Sequence, residues 1–393
     1  MTPNALGRRT VLGLSAAGLA GLGSTALAPL AAPARAGAPA ILKPLPAAWF
    51  VDYGTNAEMA WDAVDPHRYL TSQSRLFVRN HTRTPVLDAA EHRLRIFGDG
   101  LDRPDGVVLG LRDLRRRYRR ARVVTVHECT GNGRSLFATQ QGQQVSGTPW
   151  RLGAVGTVVW EGVWLRDVLA SVGLRTGASS VLATGVDDEY VDKGVNLGRV
   201  RRPFPLAKAL DDAFLAWGAN GAPLLPDHGY PLRLVLPGWI GVASIKWLGS
   251  LEVSTAPQSS PWSTRWYNVD GPLDLNPVRS AWELAWEAQI PGSERIELTG
   301  RSWSGAAPIA RVDVSVDGGA SWAPARLHPR PYAGLAGHGW TRWSHTWERP
   351  EPGPHELLAR ATDVRGRRQP DVAAYNPNGY LFDAVVRHPV AVV

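Results

Sequence analysis

Residues Val124–Phe137 read VTVHECTGNGRSLF. The β-branched run Arg122–Val126 predicts a strand. It delivers Cys129 into the loop Thr130-Gly131-Asn132-Gly133. Two glycines and an asparagine let the backbone approach a bulky ligand closely. Arg134, five residues beyond the sulfur, can place a fixed positive charge beside it. Nearby positive charge lowers a thiol's pKa, and a thiolate is a strong soft ligand for a transition metal. The competing reading is a buried, inert cysteine behaving as a small hydrophobe.

Cys129 is the single cysteine of the 393-residue chain. That excludes an intramolecular disulfide, a Cys-rich zinc site, a four-cysteine iron–sulfur cluster and C-x-x-C-H haem attachment. A redox centre must use this one thiolate or be held by other groups.

Outward from the loop, residues 76–255 alternate short apolar strands with helical segments. Arg93–Phe97 reads as a strand, Leu111–Tyr118 as a helix, and Val163–Val172 as an amphipathic helix. Residues 37–75 are Pro/Ala-rich and then irregular. Residues 254–276 form a polar connection containing proline. From Pro277 the pattern changes to strands. RIELTGR (295–301), IARVDVSV (309–316) and HELLARATD (355–363) are candidates, and Asp317-Gly318-Gly319 is a hairpin signal. The overall expectation is an α+β chain: a mixed α/β domain over 37–255, then an all-β immunoglobulin-like sandwich over 256–393. There is no internal repeat.

The net charge is +8, and only four residues are lysine: Lys43, Lys193, Lys208 and Lys246. Such an arginine bias reads as codon composition, and nucleic-acid binding is not expected. The run RDLRRRYRRAR (112–122) reads as a solvated helix face, with an acidic docking partner as the alternative. Seventeen tryptophans imply well-filled cores or an aromatic pocket.

Residues 1–36 read as an address. Arg8-Arg9 precedes a Gly/Ala-rich apolar run, and Ala34-Arg35-Ala36 has the form of a cleavage site. The pattern resembles a twin-arginine export signal, which carries folded, often cofactor-loaded proteins. Gly21, Gly23, Ser24 and Pro29 argue against a stable membrane span.

Cys-x-Gly-Asn-x-Arg after a strand resembles the molybdenum-ligating loop of the sulfite oxidase family. Further blocks run in family order. They are Phe77-Val78-Arg79-Asn80-His81, Gly147-Thr148-Pro149-Trp150, Trp160-Glu161-Gly162-Val163, Asp227-His228-Gly229-Tyr230-Pro231-Leu232-Arg233, Ile245-Lys246-Trp247-Leu248-Gly249 and Tyr375-Asn376-Pro377-Asn378-Gly379-Tyr380. The resemblance implies a molybdopterin cofactor, a molybdenum held by one pyranopterin dithiolene, with Cys129 as its protein ligand. It places His81, His228, Arg233, Ser244 and Lys246 at the cofactor, and Arg79, Arg134 and Tyr267 at the substrate, with Trp150 in the pocket wall. The implied reaction is oxidation of sulfite to sulfate by oxo transfer. Electrons then pass to an external acceptor such as a c-type cytochrome, because no haem segment is recognisable. The C-terminal domain resembles a dimerisation module, implying a homodimer.

Departures from the pattern bear on the substrate. Gly133 and Ser146 stand where vertebrate-like members carry Arg and Lys. A further pocket group from the C-terminal domain would be Arg342 or His345. Two other reactions remain open: reduction of S- or N-oxides such as methionine sulfoxide, and oxidation of protein-bound sulfane sulfur alongside a partner cytochrome.

Overall fold

The computed structural model describes residues 40–393, which form one compact unit. The export reading of residues 1–36 lies outside them. Among the described residues no helix is long and apolar enough to cross a membrane.

Two sheets frame the N-terminal half. The first has strand order 201–205, 180–185, 248–254, 93–97, 107–110. Leu248–Ser254 runs parallel to Arg93–Phe97 and the other pairings are antiparallel. The second contains Ala121–Glu128 paired along its whole length with Val155–Trp164, which in turn pairs with Phe214–Ala219. Ala121–Glu128 is the strand expected from the Cys129 stretch. Its last six residues are buried, so the loop that follows starts deep inside the molecule.

The segment expected as a helix over 163–172 begins two residues later. Val163 and Trp164 complete the strand, and the helix is Leu165–Val172. Leu165, Val168 and Leu169 fall on one face of it and are buried. Gly173, at φ +88°, ends it. The arginine-rich helix Leu111–Arg117 buries Leu111 and Leu114 and leaves its arginines outside, as a solvated face does.

The C-terminal half is a β-sandwich. One sheet has the order 279–282, 295–303, 341–348, 326–327, and the other 288–290, 388–392, 353–363, 309–315, 323–324. The facing apolar positions Leu298, Trp343, Trp282, Val312, Leu357 and Val390 form its core. The Asp317-Gly318-Gly319 turn leads from 309–315 to the short strand 323–324, which pairs back on it.

The halves are stitched together near the Cys129 loop. Ala336–His338, from the sandwich half, adds a parallel strand to Ala121–Glu128. Gly238 and Gly305 meet so closely that a Cβ on Gly305 would lie 2.2 Å from the Gly238 carbonyl oxygen. Leu381 N–H donates to the Thr130 carbonyl at 2.8 Å. The polar stretch after residue 254 does more than connect. It holds the short helix Pro261–Thr264 and carries Trp262 and Tyr267 into the site.

Candidate active site at Cys129

Cys129 is buried at the meeting of two cavities. Arg79, His81, Cys129 and Tyr267 line both. The first cavity adds His228, Arg233, Ser244 and Lys246. The second adds Arg134, Ser146, Trp150, Asn378 and Tyr380. All nine site residues expected from the sequence therefore line this pair of cavities. Arg342 and His345 do not. Arg342 lies on Thr341–Glu348, where its guanidinium donates to the Pro66 carbonyl; His345 is paired opposite Leu298 on the same strand. The sandwich half reaches the site through residues 376–380 instead.

The first cavity gathers positive charge. Lys246 Nζ donates to Asn80 Oδ1 and to the Asp227 carbonyl, both neutral acceptors. Arg233 donates to the carbonyls of His228 and Ser244 and to His127 Nε2. Burial pushes the Lys246 ammonium well below its usual range, and the adjacent Arg233 adds to this. Burial likewise brings Arg233 down to about 9. His81, His127 and His228 are all driven well below 6.5, first by burial and then by neighbouring cations, so they are neutral at physiological pH. Trp262 Nε1 donates to His81 Nε2 at 2.9 Å, which leaves that ring's proton on Nδ1.

Several groups here escaped sequence reasoning. Asp187 lines the first cavity, and burial raises its carboxyl to about 7. Asp187 Oδ1, Arg233 Nε and Thr130 Oγ1 are buried without a hydrogen-bond partner in the protein. Asp227 ties the floor together, accepting from the backbone N–H of Leu42 and Lys43 and from Thr84 Oγ1. His127 stacks on Phe77 with centroids 5.6 Å apart. His127, two residues before the cysteine, and Asp227, next to His228 in a motif block, could have been noticed in the sequence. Asp187 lies far along the chain with no spacing signal.

In the second cavity Arg79 Nη2 donates to the Tyr267 hydroxyl at 3.4 Å. Arg134 is fixed by donation from Nε to the Asn378 carbonyl and from Nη1 to the Thr148 carbonyl, each at 2.8 Å. Burial pushes the Cys129 thiol up, while Arg79 and Arg134 work against this. Burial also raises the Tyr267 phenol, so its hydroxyl keeps its proton. Tyr267 sits at φ +52°, an uncommon conformation for an aromatic residue.

Comparison with known proteins settles what this geometry belongs to. The family model described as the oxidoreductase molybdopterin binding domain matches residues 81–262, and that described as the Mo-co oxidoreductase dimerisation domain matches residues 278–392. Sulfite oxidase from Gallus gallus is 31% identical over 357 residues, covering 84% of this chain and 76% of that protein. The chain belongs to the sulfite oxidase family of molybdopterin oxidoreductases.

Mitochondrial sulfite oxidase from Mus musculus is 33% identical over 350 residues, and the match spans 83% of this chain but only 62% of the mouse protein. Among solved structures, the sulfane dehydrogenase SoxCD from Paracoccus pantotrophus superposes with a TM-score of 0.71 at 28% identity, covering 84% of this chain and 82% of that one.

The residues present fit this family's cofactor. A phosphate-bearing group would meet the cations Arg233 and Lys246 with charge-assisted hydrogen bonds. The orphaned Asp187 Oδ1 is an acceptor suited to a pterin N–H. Among the described residues no group of three His, Cys, Asp or Glu could hold a metal. One thiolate at a cavity junction is the donor set expected when an organic chelate supplies the other ligands.

Proposed function

We propose that this chain oxidises sulfite to sulfate at a molybdenum centre ligated by Cys129, passing electrons to an external acceptor such as a c-type cytochrome. The observation that carries this reading is the position of Cys129 between the two cavities, where the charges of Arg79 and Arg134 work against the burial of its thiol. When bound, the molybdenum–pterin group supplies two-electron oxidation with oxygen-atom transfer to sulfur.

The chain's own residues bind and orient. Lys246, Arg233, His228, His81 and Ser244 hold the cofactor in the first cavity. Arg79 and Arg134 hold an oxyanion in the second, and their permanent charge stabilises charge shifting during transfer. The backbone acceptors on Arg134 fix its guanidinium before substrate arrives. Tyr267 donates its hydroxyl proton to a substrate oxygen. Trp150, fully buried at the wall, excludes water from the reacting face.

We further propose a homodimer built on the sandwich module, with functional modules at 37–255 and 256–393. The matched dimerisation-domain model supports the first of these. The Arg8-Arg9 pattern supports export by the twin-arginine route. A second reading, oxidation of protein-bound sulfane sulfur with a partner cytochrome, is supported by the likeness to SoxCD. The β-sandwich half weighs against sulfoxide reduction.

Steady-state kinetics on the purified holoprotein separate these readings. Sulfite-dependent reduction of cytochrome c by the chain alone supports the first. Turnover only of a sulfur-carrying partner protein, with no response to sulfite, overturns it in favour of the second.

A further inference from the structure

Glu128 and Arg279 form a buried ion pair directly behind the cysteine loop. Their side chains are 2% and 3% exposed, and Arg279 Nη1 lies 2.9 Å from Glu128 Oε1. Arg279 belongs to Arg279–Trp282, the first strand of the sandwich half. The same Nη1 donates to the Asn132 carbonyl at 2.7 Å. Glu128 also accepts from Asn132 Nδ2 at 2.9 Å and from Trp303 Nε1 at 2.8 Å. Asn132 Oδ1 in turn accepts from Ala154 N–H at 3.1 Å, and Cys129 N–H donates to the Ala154 carbonyl at 2.9 Å. The residue before Cys129 and the residue three after it are therefore tied to one guanidinium from the other half of the molecule.

The loop leaves room for that guanidinium. Gly133 sits at φ +81°, and a Cβ there would lie 2.5 Å from Arg279 Nη2. Arg279 lines neither cavity, so it cannot contact substrate directly. We propose that Arg279 is a positioning residue: acting through Glu128 and Asn132, it sets the direction of the Cys129 sulfur. This rests on the reading of Cys129 as the protein ligand of molybdenum. The sandwich half would thus shape the metal site as well as offer a dimer surface. Groups behind a ligand typically tune the metal through its orientation.

Two variants test this in the full-length holoprotein. Arg279→Lys keeps the charge but replaces the planar guanidinium with a shorter ammonium that cannot hold both acceptors in the same fixed geometry. The double variant Glu128→Gln/Arg279→Met removes both buried charges together, which avoids stranding either one; it carries the test if the single variant fails to accumulate. The expected result has three parts: amide hydrogen exchange at least ~10-fold faster across residues 130–134, an altered Mo(V) paramagnetic resonance signal at undiminished molybdenum content, and kcat lowered ~10-fold with the KM for sulfite within ~3-fold of the parent. Variants that fold with parental exchange and a parental signal overturn the proposal, as does a kcat loss that merely tracks lost molybdenum. Cys129→Ser is measured alongside. If its molybdenum signal equals the parent's, the ligand reading fails, while the exchange data still judge Arg279's hold on the loop.

Discussion

Tyr267 and Tyr380 stack with ring centroids 5.2 Å apart and planes 18° from parallel. Tyr380 lies in the closing segment of the sandwich half, and its phenol accepts a hydrogen bond from the Tyr267 backbone N–H. The Arg134 guanidinium lies over the same ring, 5.5 Å from its centroid. Tyr380 thus holds the phenol proposed to touch substrate and one of the two guanidiniums proposed to bind it.

Replacing Tyr380 should therefore disturb catalysis without removing a reacting group. Tyr380→Phe keeps the stack and loses one hydrogen bond, a stability loss of about 1 kcal/mol. Tyr380→Leu also loses the stack, worth a further ~1 kcal/mol, and releases Tyr267 from its left-handed backbone conformation. Activity should fall more in the Leu variant than in Phe. Equal activity in both, by sulfite-dependent cytochrome reduction, would show that the stack has no bearing on Tyr267.

Arg79 carries the anion-binding part of the account. Its Nη1 is engaged by the Asn80 carbonyl, while Nη2 faces Tyr267 and His81. Arg79→Gln should cost one charge-assisted hydrogen bond to the oxyanion, roughly 2 kcal/mol, or about 30-fold in kcat/KM for sulfite. A neutral sulfur substrate should lose far less. Equal losses for anionic and neutral substrates would contradict the assignment.

Gly305 tests the seam between the halves. A Cβ there would lie 2.2 Å from the Gly238 carbonyl oxygen and 2.6 Å from Asn276 N, all backbone. No side chain can move aside, so Gly305→Ala must shift one half against the other. A destabilisation of about 3 kcal/mol is expected. An unfolding midpoint equal to the parent's would mean that the contact is not tight in solution.

The buried ionisable groups make stability depend on pH in a defined direction. His81, His127 and His228 lie well below 6.5 in the folded chain because of burial and adjacent cations. The unfolded chain takes up those protons first, so their contribution is present at neutral pH and is lost as pH falls through about 6.5. Asp187, raised to about 7 by burial, acts in the opposite sense, because the folded chain holds its proton between about pH 4 and 7. Asp187→Asn removes that opposing group. The loss of stability on acidification from pH 6.5 to 5 should then steepen by about 1.4 kcal/mol per pH unit. Urea midpoints of the cofactor-free protein across this range check it, and parallel curves for parent and variant would contradict it.

Much of the fold was readable because its signals are local. The apolar run before Cys129, the spacing of Leu165, Val168 and Leu169, and the turn at Asp317-Gly318-Gly319 all act over a few residues. The ordered motif blocks also led to Cys129 and the eight residues that the fold gathers around it. The missing parts depend on tertiary proximity. Asp187 carries no spacing signal, and Arg279 meets Glu128 only because a sandwich strand passes behind the loop. Arg342 and His345 were the candidates for the further pocket group that the family resemblance implies from the C-terminal domain, in a stretch crowded with tryptophans. Those tryptophans instead fill cores: Trp343 in the sandwich and Trp340 beneath the N-terminal half. The strand that carries them turns Arg342 toward Pro66, away from Cys129.

The central claim is that molybdenum bonds to the sulfur of Cys129. X-ray absorption at the molybdenum edge, on the purified parent and Cys129→Ser, tests it most directly. The account predicts a molybdenum-loaded parent whose variant shows one fewer sulfur neighbour at the metal. Identical sulfur coordination in the two proteins, or a correctly matured parent without molybdenum, would contradict it.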